Sequence, residues 1–170
     1  MKRLYFVRHG LSVMNQQGIF SGRTETPLAP EGIEQCKHAA QEAVHLGINA
    51  IVTSPMKRAY DTAVIIAGAV DIPAADIISK DLFMERGFGV LEGTAYQADM
   101  DMTGIEGVET EEQILARAHK AVEFLNSLPY DTILVVSHGA IGRALRHTLH
   151  PEIPFRGSEH FKNAVITQII

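Results

Sequence analysis

Tyr5-Phe6-Val7 is an apolar run that stops abruptly at Arg8-His9-Gly10, and Leu134-Val135-Val136 stops in the same way at Ser137-His138-Gly139. No other feature limits the fold as strongly. Apolar, β-branched runs of this length read as buried strands, and in an open parallel sheet ligands gather at the carboxyl ends of the strands. Two strands that each deliver an imidazole to that edge, one with a guanidinium beside it, describe a site for a small anion.

The rest of the chain supplies the layers. Further strand candidates are Ala50–Thr53, a segment around Ile77-Ile78, and Ala164–Ile170. One helical pattern runs from Glu31 to Leu46, with Ile33, Cys36, Ala40, Ala43 and Val44 on a single stripe. A second starts at Ser54-Pro55, a serine N-cap with proline at the first helical position, and reaches about Ala69. A third opens at Glu109 or Thr110 and reaches about Leu128, and a fourth covers Gly139 to Leu149. Residues 12–30 are too irregular for a helix, and 82–107 read as a long excursion with little regular structure. Strands alternating with helices predict an α/β fold, a three-layer sandwich with a mostly parallel central sheet and helices on both faces. No linker or repeat interrupts the pattern, so residues 1–170 are expected to form a single domain.

A formal net charge of −5 argues against a general nucleic-acid or membrane-surface partner, which needs a basic face. A local cationic pocket stays compatible with it. Cys36 is the only cysteine and falls in a helical apolar register, where it reads as a small buried hydrophobe. The apolar run after Lys2-Arg3 is too short for a signal peptide, and nothing approaches a membrane span. The expected location is cytoplasmic.

Ser54-Pro55-Met56-Lys57-Arg58 brings a second arginine to a helix start directly after a strand, where free N–H groups and the helix dipole favour an anion. Arg8 and Arg58 offer planar donors matched to phosphate oxygens. Three strand ends that each carry a cationic or protonatable group are costly unless a polyanion neutralises them.

The ordered set is specific. Arg8-His9-Gly10, Asn15, Pro27-Leu28 with Gly32, Ser54-Pro-x-x-Arg58-Ala-x-x-Thr62-Ala, Glu85-Arg-x-Phe-Gly-x-Leu-Glu-Gly93 and Ser137-His138-Gly139 resemble the histidine phosphatase superfamily, in its phosphoglycerate mutase-like branch. Gly107-Val-Glu109-Thr110 and Asn163-Ala164 extend the resemblance, which covers residues 3 to about 145 and beyond. It implies that His9 is a nucleophile forming a phosphohistidine, kept unprotonated by Arg8 and Arg58. It further implies that Arg8, Arg58 and His138 hold the phosphoryl oxygens, and that Glu85 donates the proton to the leaving group. Asn15, the Ser21-Gly22 turn and Gly139 join the substrate and phosphate site.

Some residues compete for these roles. Glu85 could instead pair with Arg86, while Glu31 and Glu92 read as structural or solvated. His38, His45, His119, His147, His150 and His160 read as surface or local packing groups. No zinc-like ligand set accompanies His147 and His150, so neither a metal nor another cofactor is expected. Leu11 and Ala140 stand where relatives carry more polar side chains, and the interval between Glu85 and His138 is short for a mutase. A phosphomonoester hydrolase acting on a small phosphorylated metabolite is therefore favoured. A cofactor-dependent phosphoglycerate mutase and a non-catalytic phospho-ligand binding protein are the alternatives, and a homodimer stays open.

Overall fold

The computed structural model describes residues 2–170. Strands β1 (Arg3–Arg8), β2 (Ala50–Thr53), β3 (Ile78–Ser79), β4 (Thr132–Ser137) and β5 (Ile166–Gln168) form one sheet in the order β3-β2-β4-β1-β5. The first four run parallel, and β5 pairs antiparallel with β1. Helices α1 (Val13–Gln16), α2 (Pro30–Ala43), α3 (Lys57–Ala69), α4 (Glu111–Ser127) and α5 (Gly139–Leu149) join them.

The strand alternation assigns the layers. Leu4 and Phe6 of β1, Val52 of β2, and Ile133 and Val135 of β4 pack with Ile114, Ala118 and Leu125 of α4 and Ile141 and Leu145 of α5. The alternate residues Tyr5, Val7, Ile51, Leu134 and Val136 project from the opposite face, onto Cys36, Ala39 and Ala43 of α2 and Ala63 and Ile66 of α3. Two cores on two faces of one sheet make the three-layer sandwich.

Four expectations need correction. The α2 stripe keeps Cys36, Ala40 and Ala43, which are buried as expected, but loses Ile33 and Val44, which are exposed, and gains Gly32 and Ala39. The helix approaches the sheet so closely that only small residues fit beneath it. A Cβ on Gly32 would lie 2.0 Å from the Leu11 carbonyl oxygen. The helix after β2 begins at Lys57, not at Pro55; the Ser54 hydroxyl accepts from the Met56 N–H and also meets His138 Nε2. Glu25 accepts from the Lys57 N–H instead. The last strand starts at Ile166, because Ala164 takes a left-handed φ of 54° and donates its N–H to the Arg8 carbonyl, 2.8 Å away. Within 12–30, a four-residue turn of helix, α1, is closed by a reciprocal Ser12–Asn15 capping box.

Candidate active site

The parallel register sets Arg8 opposite Ser137 and Thr53 opposite Val136, so β1, β2 and β4 end at one edge. His9 follows β1 there, its N–H donating to the Ser137 carbonyl at 2.9 Å. The ring is buried. Its Nδ1 lies 2.7 Å from the Gly10 carbonyl oxygen, which can only accept, so Nδ1 carries the proton and Nε2 keeps its lone pair. Arg58 Nε donates to that nitrogen at 3.3 Å. Burial first, then Arg58 and Arg8, push the His9 pKa well below the usual histidine value. The sequence reading credited the arginines alone; desolvation is the larger cause.

Arg58 is held at two further points. Nη2 donates to the Gly22 carbonyl at 2.6 Å and Nη1 to the Thr24 carbonyl at 3.0 Å. Gly22 has a φ of +52°, and a Cβ there would lie 2.6 Å from Glu92, so only glycine turns the chain tightly enough to present that carbonyl. Thr62, one turn along α3, accepts from the Gly10 N–H and from Cys36 Sγ, and donates to the Arg58 carbonyl. That hydroxyl ties α2 and α3 to the loop carrying His9. Arg8 donates to the Phe161 carbonyl at 3.2 Å, while its Nε is buried with no partner among the described residues. Burial lowers the pKa of both arginines.

Glu85 is placed by backbone alone. Oε1 accepts from the Arg86 and Ile141 N–H groups at 2.8 and 3.2 Å, and Oε2 from the Ala140 N–H at 3.2 Å. The carboxylate thus caps the N-terminus of α5. Arg86 turns away, donating from Nε to the Glu109 carbonyl, so the side-chain pair with Arg86 that competed for Glu85 does not form. Arg117 braces the segment from behind through the Leu82 and Met84 carbonyls and Glu109. Glu92 is structural, accepting from the Thr24 hydroxyl and the Phe88 N–H.

His138 is fully buried with its ring centroid 5.1 Å from that of His9, edge-on. Its Nε2 lies 2.8 Å from the Ser54 hydroxyl, and its Nδ1 has no partner among the described residues. Burial, followed by Arg58, lowers its pKa well below the ordinary value.

A cavity of about 290 Å³ opens over this edge. Arg8, His9, Arg58, Glu85, Gly139, Asn15, Ser21 and Gly22 all line it; His138 stands behind its wall. Asn15 spends Oδ1 on the Ser12 N–H, leaving its amide N–H groups for a ligand. Asn163 donates to the His9 carbonyl at 2.9 Å. Ser21 Oγ is buried without a partner among the described residues.

Arg143, His160 and Tyr96 also line the cavity, and none was picked out from the sequence. His160, read there as a packing group, is a wall residue. His147 and His150 do pack locally, each bonded to a nearby backbone carbonyl. Arg143 had a usable signal. It lies in the second turn of a helix that begins at the strand edge, and helical side chains lean towards the N-terminus. His160 had none, since it sits in a loop without periodicity.

A family model for the histidine phosphatase superfamily, branch 1, matches residues 4–170. The chain belongs to that family. It is 31% identical to a Hydrogenobacter thermophilus protein provisionally named phosphoserine phosphatase 2, over 85% of this chain and 77% of that one. It is 30% identical to an uncharacterized phosphatase of Bacillus subtilis, over 99% of this chain and 88% of the relative. Among solved structures, a mycobacterial glucosyl-3-phosphoglycerate phosphatase complexed with VO3 superposes with a TM-score of 0.84 and 25% identity, covering 99% of this histidine phosphatase and 92% of that chain.

Proposed function

We propose that this histidine phosphatase is a phosphomonoester hydrolase that releases inorganic phosphate from a small phosphorylated metabolite through a phosphohistidine on His9. The observation that carries the reading is the fixed tautomer of His9: a bare Nε2 faces Arg58 in a cavity that also holds Arg8 and Glu85. In the first step the Nε2 lone pair attacks phosphorus and the ester P–O bond breaks, with Glu85 giving its proton to the departing alkoxide. In the second, Glu85 takes a proton from water, the water oxygen attacks phosphorus, the P–N bond breaks and phosphate leaves. Arg8 and Arg58 bind the charge that spreads over the non-bridging oxygens. Ser54 accepts from the Met56 N–H and lies 2.8 Å from His138 Nε2; with the Ser54 proton directed at Nε2, the unpartnered Nδ1 of His138 carries the N–H offered to a phosphoryl oxygen. Asn15, Ser21, Gly22 and Gly139 complete the floor and rim.

Two guanidiniums supply the charge stabilisation that a metal would otherwise bring, which supports a metal-independent reaction. A match to one family model over 4–170 supports a single catalytic domain. No helix among the described residues is long and apolar enough to cross a membrane, and we place the enzyme in the cytoplasm. The relatives named for phosphoserine and glucosyl-3-phosphoglycerate phosphatases support a small phosphate ester as substrate. The interval between Glu85 and His138, short for a mutase that must shield its phosphoenzyme from water, favours hydrolysis over isomerisation.

The test is phosphate release by the purified protein from a panel of metabolite phosphates, with and without chelator. Turnover insensitive to chelator is expected, with His9→Ala slowing it about a thousandfold or more. Undiminished turnover in that variant, or isomerisation of phosphoglycerate dependent on a bisphosphoglycerate primer, would overturn the reading.

A further inference from the structure

Arg143 and His160 take no part in the chemistry above, yet both line the cavity. The Arg143 side chain rises from α5 and is only 15% exposed. Its guanidinium lies over the Phe155 ring, 5.5 Å from the centroid. Nη1 donates to Nε2 of His160 at 2.7 Å, and Nε has no partner among the described residues. The carboxylate nearest to hand, Asp99, is half exposed and stands 3.8 Å from Nη1, beyond hydrogen-bond length. A guanidinium that has given up water without gaining a hydrogen-bonded carboxylate is incomplete. On the far side of the imidazole, the Tyr96 hydroxyl lies 3.4 Å from Nδ1. Because Nε2 accepts from Arg143, Nδ1 carries the proton and the tyrosine oxygen accepts it, which frees the phenolic O–H to donate elsewhere. Tyr96 lines the same cavity.

We propose that this end of the cavity is a carboxylate subsite, in which Arg143 and the Tyr96 hydroxyl receive the acid group of a small phosphorylated hydroxy acid while its phosphoryl group sits on His9, Arg8 and Arg58. The inference rests on the phosphatase reading and adds the substrate class to it. One guanidinium and one hydroxyl match a singly charged planar acid, which a guanidinium binds edge-on through paired donors. A second phosphate dianion would face Asp99 with one cation to hold it. An uncharged substrate tail would leave Arg143 desolvated and without a hydrogen-bonded carboxylate.

Two esters isolate the subsite: 3-phosphoglycerate and glycerol 3-phosphate, which differ in carrying a carboxylate or a hydroxymethyl group. The readout is the ratio of their kcat/KM values for phosphate release. The wild type should prefer the acid by roughly 10- to 100-fold, the range a charge-assisted hydrogen bond supports. Arg143→Gln should bring the ratio close to one, and Arg143→Lys should keep part of the preference. His160→Gln, which removes the support of Arg143 without removing its charge, should lower the ratio by less and serves if Arg143→Gln fails to fold. A wild-type ratio near one, or a ratio that Arg143→Gln leaves unchanged, overturns the subsite while leaving the phosphatase reading intact. Absence of turnover on both of these esters and on p-nitrophenyl phosphate overturns the two together.

Discussion

His9 shows how much one carbonyl decides. The Gly10 oxygen can only accept, so it fixes the proton on Nδ1 and turns the basic nitrogen towards Arg58. Burial and two guanidiniums then disfavour the imidazolium, so the folded pKa lies below the reference value of about 6.5. Nitrogen NMR of histidine-labelled protein should find His9 still neutral, with its proton on Nδ1, at pH 6, where more than half of an unperturbed histidine is charged. A midpoint at or above 6.5 would contradict this. The meeting of His9, Arg58 and His138 at one edge was legible in the sequence from two strand ends and a helix start, whereas Glu85 and Asn15 were singled out only by the family resemblance. Arg143 and His160 were not legible, because their meeting depends on how α5 and the loop before β5 fold back over that edge.

At the scale of elements, the decisive contact is between α2 and the loop after β1. Gly32 packs against the Leu11 backbone, and Gly10 packs against Gly32 and Cys36. Gly32→Ala would drive a methyl group into a carbonyl that cannot rotate away. It should cost about 3 kcal/mol or more, at the upper end of overpacking, measurable as a lower urea midpoint, with phosphatase activity lost in parallel as the His9 loop shifts. Stability within a few tenths of a kcal/mol of wild type would show that α2 can move. The same closeness explains what the sequence concealed. Hydropathy marks large residues, so Ile33 and Val44 were drawn into a stripe that Gly32 and Ala39 complete beside Cys36, Ala40 and Ala43. The bounds of α5, Gly139–Leu149, were legible all the same, with Ile141 and Leu145 as the large members of a buried stripe otherwise made of Ala140, Gly142 and Ala144.

For the whole molecule, two imidazoles locked neutral in the interior link stability to pH. His9 and His138 both have folded pKa values well below their unfolded ones, so between those values the unfolded chain binds more protons than the folded one. Stability is therefore full above about pH 7 and is lost as pH falls, by up to about 1.4 kcal/mol per pH unit for each group. Urea denaturation at pH 7.5, 6.5 and 5.5 should trace that decline, and His138→Gln should flatten it; stability that holds or rises towards pH 5.5 would refute the linkage. The layered architecture followed from the alternation of apolar runs, whereas the sheet order and the reversed direction of β5 did not, because pairing register leaves no local mark in a three-residue strand. That reversed strand follows a segment that hands Asn163 to the His9 carbonyl and brings His160 to Arg143. His9 and Arg58 rise from the ends of β1 and β2 and the helix that follows, while Tyr96 and His160 of the cavity's far wall come from connecting loops. In protein engineering, this makes the loops around Tyr96 and His160 the place to change which ester is accepted, with the phosphorylation machinery left in its original frame.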